Sequence, residues 1–163
     1  MKRIVSLLLL LICVFNISSC AIVPMYNSPE LKMILNAQGY TVEDVDLKND
    51  DGVIGYVYAS KIDTGDKLYY IYFDNMTSAK SMFDYINNKQ KAKISELKMH
   101  IDKLEYALYK ADDVTAAEKG DYYEQYVLVT EELEEVKNYS VGRGFNVVWY
   151  GTKQAIADLR KGS

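Results

Sequence analysis

The amino-acid sequence predicts an α+β fold, with helices packed on one face of an antiparallel sheet. Residues 53–62 and 67–74 alternate between two faces at the period of a β-strand and are joined by a short polar loop. Apolar residues of 76–86 and 92–110 recur instead at the spacing of three or four that is typical of helices. Hairpins and helices that follow each other in this way indicate a sheet covered by helices.

The first predicted element is a helix at 29–38, where Ser28 supplies an N-cap and Pro29 suits the first helical position. Alternating side chains then predict a strand at 40–47. Residues 49–52 predict a turn, because Asn, Asp and Gly favour turn conformations. This segment leads into the central hairpin, with its loop at 63–66.

Two helical segments follow the hairpin. Asn75 suits the N-cap of the first, and Asn87-Asn88 predicts a break before the second at 92–110. The second segment carries an apolar stripe with these members: Ile94, Leu97, Ile101, Leu104 and Leu108. We interpret the stripe as packing within its own domain, with a homodimer seam or a partner helix as the alternative.

The carboxyl-terminal part is predicted as a polar linker at 111–121, a strand at 122–130, an acidic stretch at 131–144, a strand at 145–150 and a helix capped by Thr152. The acidic stretch ends in Gly142-Arg143-Gly144, which we expect to let the chain turn into the last strand. The strands at 67–74 and 145–150 are each followed by a helix. This echo fits an internal duplication of a hairpin-plus-helix unit, or two units that look alike because their packing is alike.

Tyrosine is the most distinctive residue type, with 15 residues against one Trp and four Phe. A rigid ring with a polar tip offers a large contact area at a low entropy cost, which suits binding surfaces. We expect a candidate binding face on the sheet with these members: Tyr56, Tyr58, Tyr70, Tyr72, Tyr126 and Tyr150. We favour the alternative for these tyrosines, which is packing within the sheet, where each cross-strand aromatic pair contributes about 0.2–1 kcal/mol.

The sequence contains no recognisable catalytic or metal-binding constellation. His100 is the only histidine, so a Ser-His-Asp arrangement and a zinc site both lack their usual residues. The acidic run before Gly52 does not fit an EF-hand loop, because Leu47 and Tyr58 occupy its first and last ligand positions. We expect no metal and no cofactor, while a hydrolase that uses two Asp or Glu carboxylates stays open as an alternative.

The first twenty residues have the pattern of an export signal. Lys2 and Arg3 precede a run at 4–15 that is apolar apart from Ser6. At about 1.5 Å per residue this run is too short for a bilayer core of about 30 Å. The run is followed by Ile17-Ser18-Ser19-Cys20, which resembles the lipobox of bacterial lipoproteins: an aliphatic residue and two small residues before an obligatory cysteine.

The resemblance implies that a signal peptidase cuts before Cys20 and that the Cys20 thiol carries a diacylglyceryl group. It divides the chain into a signal peptide at 1–19, a lipidated tether at 20–28 and an α+β domain at 29–163. Two acyl chains are sufficient for stable membrane anchoring. We therefore expect the protein in the bacterial cell envelope, on the extracytoplasmic side of a membrane. No disulfide is expected, because Cys13 leaves with the signal.

Composition narrows the expected partners. Loss of Lys2 and Arg3 changes the net charge from −4 to −6, and a negative chain without a basic cluster argues against nucleic acid. We expect a non-catalytic binding or accessory module that recognises an envelope protein, a peptide or a glycan. The carboxylate hydrolase and an assembly role of the 92–110 helix are the alternatives, and the oligomeric state stays open.

Overall fold

The computed structural model describes residues 25–45 and 52–161. In chain order its elements are α1 Ser28–Ala37, β1 Thr41–Asp44, β2 Val53–Lys61, β3 Asp66–Phe73, α2 Met76–Tyr109, α3 Ala116–Asn138, β4 Tyr139–Gly144, β5 Val147–Thr152 and α4 Lys153–Lys161. The strands form one antiparallel sheet in the order β1-β2-β3-β5-β4. The predicted α+β class with an antiparallel sheet is confirmed.

The amino-terminal elements follow the prediction, with small shifts at their ends. The cap of α1 is Asn27 instead of Ser28, since the Asn27 side chain accepts a hydrogen bond from the Glu30 backbone N–H at 3.0 Å. The Glu30 carboxylate accepts one from the Asn27 N–H at 3.3 Å, which completes a capping box. Asn75 caps α2 as predicted. Most of the predicted turn at 49–52 lies outside the described residues.

The predicted break at Asn87-Asn88 is wrong, because α2 runs from Met76 to Tyr109 without interruption. Asn costs at most about 0.7 kcal/mol inside a helix relative to Ala. Packing on both sides of the pair outweighs this cost: Ile86 contacts the sheet, and Leu97 is buried further along the helix. The apolar stripe of 92–110 packs within the chain as interpreted, since α2 lies against α3.

The predicted strand at 122–130 is also wrong, because these residues belong to α3. Thr115 and Glu118 form a capping box that starts this helix. Tyr122, Tyr126 and Leu133 recur at spacings of four and seven that place them on one side of a helix, and Leu133 is buried. The acidic residues at 131–138 complete the helix.

Residues 139–144 form β4, an edge strand that the sequence did not predict. Gly142 allows β4 to lie beside Trp149, because a Cβ atom at this position would collide with the indole ring. The turn into β5 lies at Phe145 and Asn146, where Phe145 has a φ of 47°. The expectation that Gly142-Arg143-Gly144 forms this turn is therefore wrong.

Helices pack on both faces of the sheet, whereas the sequence placed them on one. On one face of the sheet, called here the α1/α4 face, the helices α1 and α4 pack against the strands. The core on this face includes Leu31, Leu35, Val57, Leu68, Tyr70, Trp149, Ile156 and Leu159. On the opposite face, called here the α2 face, the strands pack against the first part of α2. Phe73 and Val148 of the sheet and Ala79, Phe83 and Ile86 of the helix form this second core. Both faces are covered because β3 carries large apolar side chains on each.

The two hairpin-plus-helix units are present, but their helices lie on opposite faces. The unit β2-β3-α2 places its helix on the α2 face, and the unit β4-β5-α4 places its helix on the α1/α4 face. β3 and β5 are antiparallel neighbours, so a two-fold rotation that exchanges them has its axis perpendicular to the sheet. Such a rotation leaves each face of the sheet on its own side and would keep both helices on one face. The units are therefore not related by that rotation.

The packed part of the chain includes Tyr26, which lies before the predicted domain start at residue 29. Tyr26 is 9% exposed and belongs to the core of the α1/α4 face. Its hydroxyl donates to the Leu159 carbonyl oxygen at 3.3 Å, and its backbone N–H donates to the Tyr70 hydroxyl at 3.3 Å. These bonds fix the chain on the sheet directly before α1.

Asp158 on α4 provides a pH-dependent contribution to stability. Burial raises its pKa, but hydrogen bonds from Lys161, Tyr40 and Gln154, at 2.8 to 3.0 Å, outweigh burial and hold the pKa below its usual value. A lowered carboxyl pKa stabilises the fold above the pKa of the unfolded chain, and the contribution is lost as pH falls through the folded pKa.

We expect Asp158→Asn to reduce the free energy of unfolding by about 1–3 kcal/mol at neutral pH. The difference from wild type should shrink as the pH falls below about 4, the ordinary pKa of an aspartate in the unfolded chain, and then through the lower pKa of the folded Asp158 carboxyl. Urea denaturation at neutral and acidic pH measures both values. Parallel loss of stability in wild type and variant as the pH falls would count against this role of Asp158.

Candidate functional site: a row of tyrosines

The strand register determines which tyrosines share a face of the sheet. Tyr58 on β2 is opposite Tyr69 on β3, and Tyr69 is opposite Tyr150 on β5. Directly opposite residues of antiparallel strands project from the same face. These three tyrosines therefore lie together on the α2 face, while Tyr70 and Tyr72 project from the α1/α4 face.

The assignment of Tyr70 and Tyr72 to a binding face is wrong. Tyr70 is fully buried and stacks on Trp149 with ring centroids 6.3 Å apart. The Tyr72 hydroxyl donates to the Tyr26 carbonyl oxygen at 3.1 Å, and its ring packs against the same core. Both tyrosines are core residues that hold the segment before α1.

The assignment of Tyr126 to the sheet face is also wrong. Tyr126 lies on α3, where its hydroxyl donates to the Glu105 carboxylate of α2 at 3.2 Å. It joins the two long helices and has no part in the sheet. Tyr56, Tyr58 and Tyr150 remain from the predicted set.

Five partly exposed tyrosines form one continuous row on the α2 face. This tyrosine row consists of Tyr56, Tyr58, Tyr69, Tyr150 and Tyr139 and crosses β2, β3, β5 and β4. Ring centroids are 5.0 Å apart for Tyr58–Tyr69, 6.0 Å for Tyr69–Tyr150 and 5.1 Å for Tyr139–Tyr150. Tyr56 extends the row, 6.2 Å from Tyr69. The sequence missed Tyr69 and Tyr139, since their places depend on the register and on β4.

Three of the four ring pairs in the row are stacked, and the pair Tyr58–Tyr69 is tilted. Neighbouring ring planes differ by 24° to 33° at the centroid distances given above. This is the parallel-offset arrangement that aromatic pairs favour. Since each ring uses part of its face to contact a neighbour, ring edges and hydroxyl groups make up much of what the row presents to solvent.

The hydroxyl groups of Tyr56, Tyr139 and Tyr150 are neutral at physiological pH. Burial raises the pKa of Tyr56 to about 12, and the neighbouring Tyr69 and Tyr58 add to the shift. Burial also raises the pKa of Tyr139 and Tyr150. These three side chains therefore act as hydrogen-bond donors and acceptors, not as anions or proton-transfer groups.

A groove of about 340 Å³ adjoins the row at Tyr150. Its lining combines apolar and cationic side chains: Tyr85, Ile86, Lys89, Gln90, Lys93, Val136 and Tyr150. The Gln90 side chain fixes one wall, because its Nε2 donates to the carbonyl oxygens of Val136 at 3.0 Å and Tyr139 at 2.8 Å. Lys93 pairs with Glu132 at 2.9 Å, and the Lys89 ammonium lies 5.7 Å from the centre of the Tyr85 ring.

Tyr56, at the β2 end of the row, borders a larger cavity of about 580 Å³, which Asp44, Ile54 and Tyr72 also line. This cavity lies at the irregular register between Val53 and Gly55, where the edge of the sheet opens. Val57 and Tyr72 in its lining project from the α1/α4 face, so this cavity lies mainly beyond the α2 face that carries the tyrosine row.

Other titratable side chains do not converge in the described part of the chain. His100 is exposed on α2. The buried carboxylate of Asp66 accepts hydrogen bonds from Thr64 at 2.6 Å and Thr152 at 2.7 Å, which fix the β3 end of the hairpin. Within residues 25–45 and 52–161, no three His, Cys, Asp or Glu side chains are grouped to hold a metal ion. No helix of this part is long and apolar enough to cross a bilayer.

Comparisons with protein-family models, with curated proteins and with solved structures found no match to this chain. The functional proposal therefore depends on the geometry of the tyrosine row and the groove.

Proposed function

We propose that the protein is a lipid-anchored lipoprotein of the bacterial cell envelope that binds a segment of another envelope protein through the tyrosine row and the adjoining groove. One observation carries the proposal: Tyr150 belongs to both the row and the groove, so that a rigid aromatic surface leads directly into a concave site. Aromatic anchors beside a pocket are typical of the residues that dominate binding energy in protein interfaces.

The lining of the groove suggests the chemistry of the segment. Ile86, Val136 and the rings of Tyr85 and Tyr150 offer apolar walls for one apolar or aromatic side chain. Lys89 adds a positive charge at the same site. An apolar anchor flanked by an acidic residue fits this combination, because burial of the anchor excludes water around the charge pair.

The stacked rings favour a protein segment over a glycan. A sugar ring that lies flat on an aromatic ring needs a free ring face, whereas neighbours contact part of the ring faces in the row. Hydroxyl groups and ring edges instead suit the polar backbone and mixed side chains of a polypeptide. A peptide segment is therefore the ligand that we propose.

The lipid anchor in this proposal comes from the pattern Ile17-Ser18-Ser19-Cys20, which lies outside the described residues. Two acyl chains at Cys20 would hold the domain at a membrane without using its folded surface. The tyrosine row and the groove would then be free to bind a partner in the envelope.

Site-specific photo-crosslinking in intact cells tests the binding surface. A photoreactive phenylalanine derivative replaces Tyr58, Tyr69 or Tyr150 in the full chain, and Tyr109 serves as the matched control because it is a tyrosine that is 72% exposed on α2. We expect one protein adduct of the same mass from the three row positions and no adduct of that mass from Tyr109. An equal adduct from Tyr109, no adduct from the row, or an adduct that glycan-degrading enzymes remove would contradict the proposal.

A further inference from the structure

The long helices α2 and α3 carry opposite charges on the part that faces away from the sheet. Residues 89–103 of α2 contain five lysines against two acidic residues, whereas residues 121–135 of α3 contain six acidic residues and no basic one. The two stretches lie side by side, as the ion pair between Lys93 and Glu132 shows. We call this pair of helices beyond Gln90 the helical arm.

Each helix of the arm leaves one face that no other described part of the chain covers. Leu97 and Leu104 of α2 are buried toward α3. Met99 comes two positions after Leu97 and Tyr106 two positions after Leu104, so each lies about 200° around the helix, on the side away from α3. Met99 is 55% exposed and Tyr106 61%. The outer stripe of α2 has these members at a spacing of four, three and four: Met99, Lys103, Tyr106 and Lys110.

The outer stripe of α3 has the complementary composition. Leu133 is buried toward α2, and the residues on the opposite side recur at the same spacing: Glu124, Leu128, Glu131 and Glu135. Leu128 is 64% exposed, and the three glutamates are also exposed. The outer stripe of α2 thus combines apolar side chains with lysine, and that of α3 combines an apolar side chain with glutamate.

We infer that the helical arm binds a second copy of this chain, with the outer stripe of α2 from one copy against the outer stripe of α3 from the next. A neighbour displaced sideways without rotation keeps the antiparallel alignment that already joins Lys93 to Glu132. In that alignment Met99 of one copy lies opposite Leu128 of the next, and Lys103 lies opposite Glu124. One apolar pair and one pair of opposite charges then face each other in the middle of the contact.

The charge pattern disfavours a two-fold dimer through either stripe. A two-fold contact places a stripe against the same stripe of the other copy, so that its lysines or glutamates meet no side chain of opposite charge within the stripe. Like charges held opposite each other oppose binding. The contact is therefore head-to-tail and can continue from copy to copy.

A contact through one helix face of each copy is small compared with a standard interface of about 800 Å² per partner. We therefore expect association where copies are concentrated, as on a shared membrane. The shared membrane is the one part of this inference that rests on the proposed function. The contact itself does not rest on the proposed function, because it depends only on the outer stripes of α2 and α3.

Cysteine crosslinking in cells that express the full chain tests the contact. Met99→Cys and Leu128→Cys are made in separately tagged copies, which are expressed alone and together and then treated with an oxidant. We expect about tenfold more crosslinked dimer from the mixture than from either variant alone, and none from the chain without an added cysteine. Crosslinks in either variant alone at the level of the mixture, or none in the mixture, would overturn the inference.

Charge reversal provides an independent test in the same cells. K103E places a second glutamate opposite Glu124 and E124K places a second lysine opposite Lys103, so each variant should lose the Met99–Leu128 crosslink. Co-expression of the two reversals should restore it, because opposite charges again face each other. K153E on α4 is the control, since it makes the same charge change at an exposed site away from the arm. Equal crosslinking in K103E and wild type would contradict the head-to-tail contact. Fractionation of the same cells tests the membrane anchor separately.

Discussion

Tyr70→Ser is expected to remove about 3–5 kcal/mol from the free energy of unfolding, the range for loss of a buried aromatic side chain. Tyr70 is fully buried, stacks on Trp149 and lies 5.2 Å from the Tyr72 ring. Its hydroxyl also accepts the hydrogen bond from the Tyr26 N–H. Serine would leave a cavity in the centre of the α1/α4 face, and a loss of this size is a large part of the stability of a typical domain.

Tyr69→Ser is the matched comparison, because Tyr69 precedes Tyr70 on the same strand and projects from the other face. We expect a smaller loss of about 1–2 kcal/mol, since Tyr69 is partly exposed and loses cross-strand ring contacts only. Urea denaturation of the two variants measures the difference. Equal losses would mean that the two faces of β3 are buried to the same degree.

Cys20→Ser is expected to abolish lipid attachment and to leave the uncleaved precursor. The predicted modification forms a thioether at the Cys20 sulfur, and a serine hydroxyl is a far weaker nucleophile than a thiolate. Metabolic labelling with a clickable fatty acid, followed by gel mobility, measures both attachment and cleavage.

Cys13→Ser is the control for this prediction. Cys13 lies within the apolar run of the signal, seven residues before Cys20, and should not affect labelling. Normal labelling and cleavage of Cys20→Ser would exclude the lipoprotein assignment. The assignment of the tyrosine row would then need a different cellular location.

Alternation along a single strand was sufficient to predict the central hairpin. Within β2 and β3, every second residue shares a face, and the turn residues at 63–66 separate the two runs. These are local signals, so they do not depend on the rest of the fold. The caps Asn75 and Thr152 were predictable for the same reason: Asn75 accepts from the Ser78 N–H at the start of α2, and Thr152 accepts from the Ala155 N–H at the start of α4.

The register between neighbouring strands was not predictable in this way. Alternation groups Tyr56 with Tyr58 and Tyr70 with Tyr72, but it does not say which group of β3 faces which group of β2. The pairing of Tyr58 with Tyr69 places the two groups on opposite faces. A shift of one residue would have reversed this result, because the side-chain period of a strand is two.

The helix α3 shows a second limit of sequence patterns. Tyrosine and valine favour strands, and their alternation in 122–130 suggested one. Tertiary packing of Leu133 and the capping box at Thr115 favour a helix instead. With α3 assigned as a strand, β4 and the place of Tyr139 in the row could not be predicted.

The most direct test of the binding surface joins the row and the groove in one measurement. A photoreactive side chain at Lys89 reports on the groove, while Tyr58→Ser and Tyr69→Ser together remove the centre of the row. Tyr109→Ser with Tyr123→Ser is the control, because both are exposed tyrosines on the helical arm. Thermal unfolding of each variant confirms that the compared proteins are folded.

We expect the adduct at Lys89 to fall by about tenfold or more when the row is changed, which corresponds to a loss of about 1.4 kcal/mol of binding. The control pair should leave the adduct unchanged. An adduct at Lys89 that survives loss of Tyr58 and Tyr69 would show that the groove and the tyrosine row do not form one binding surface.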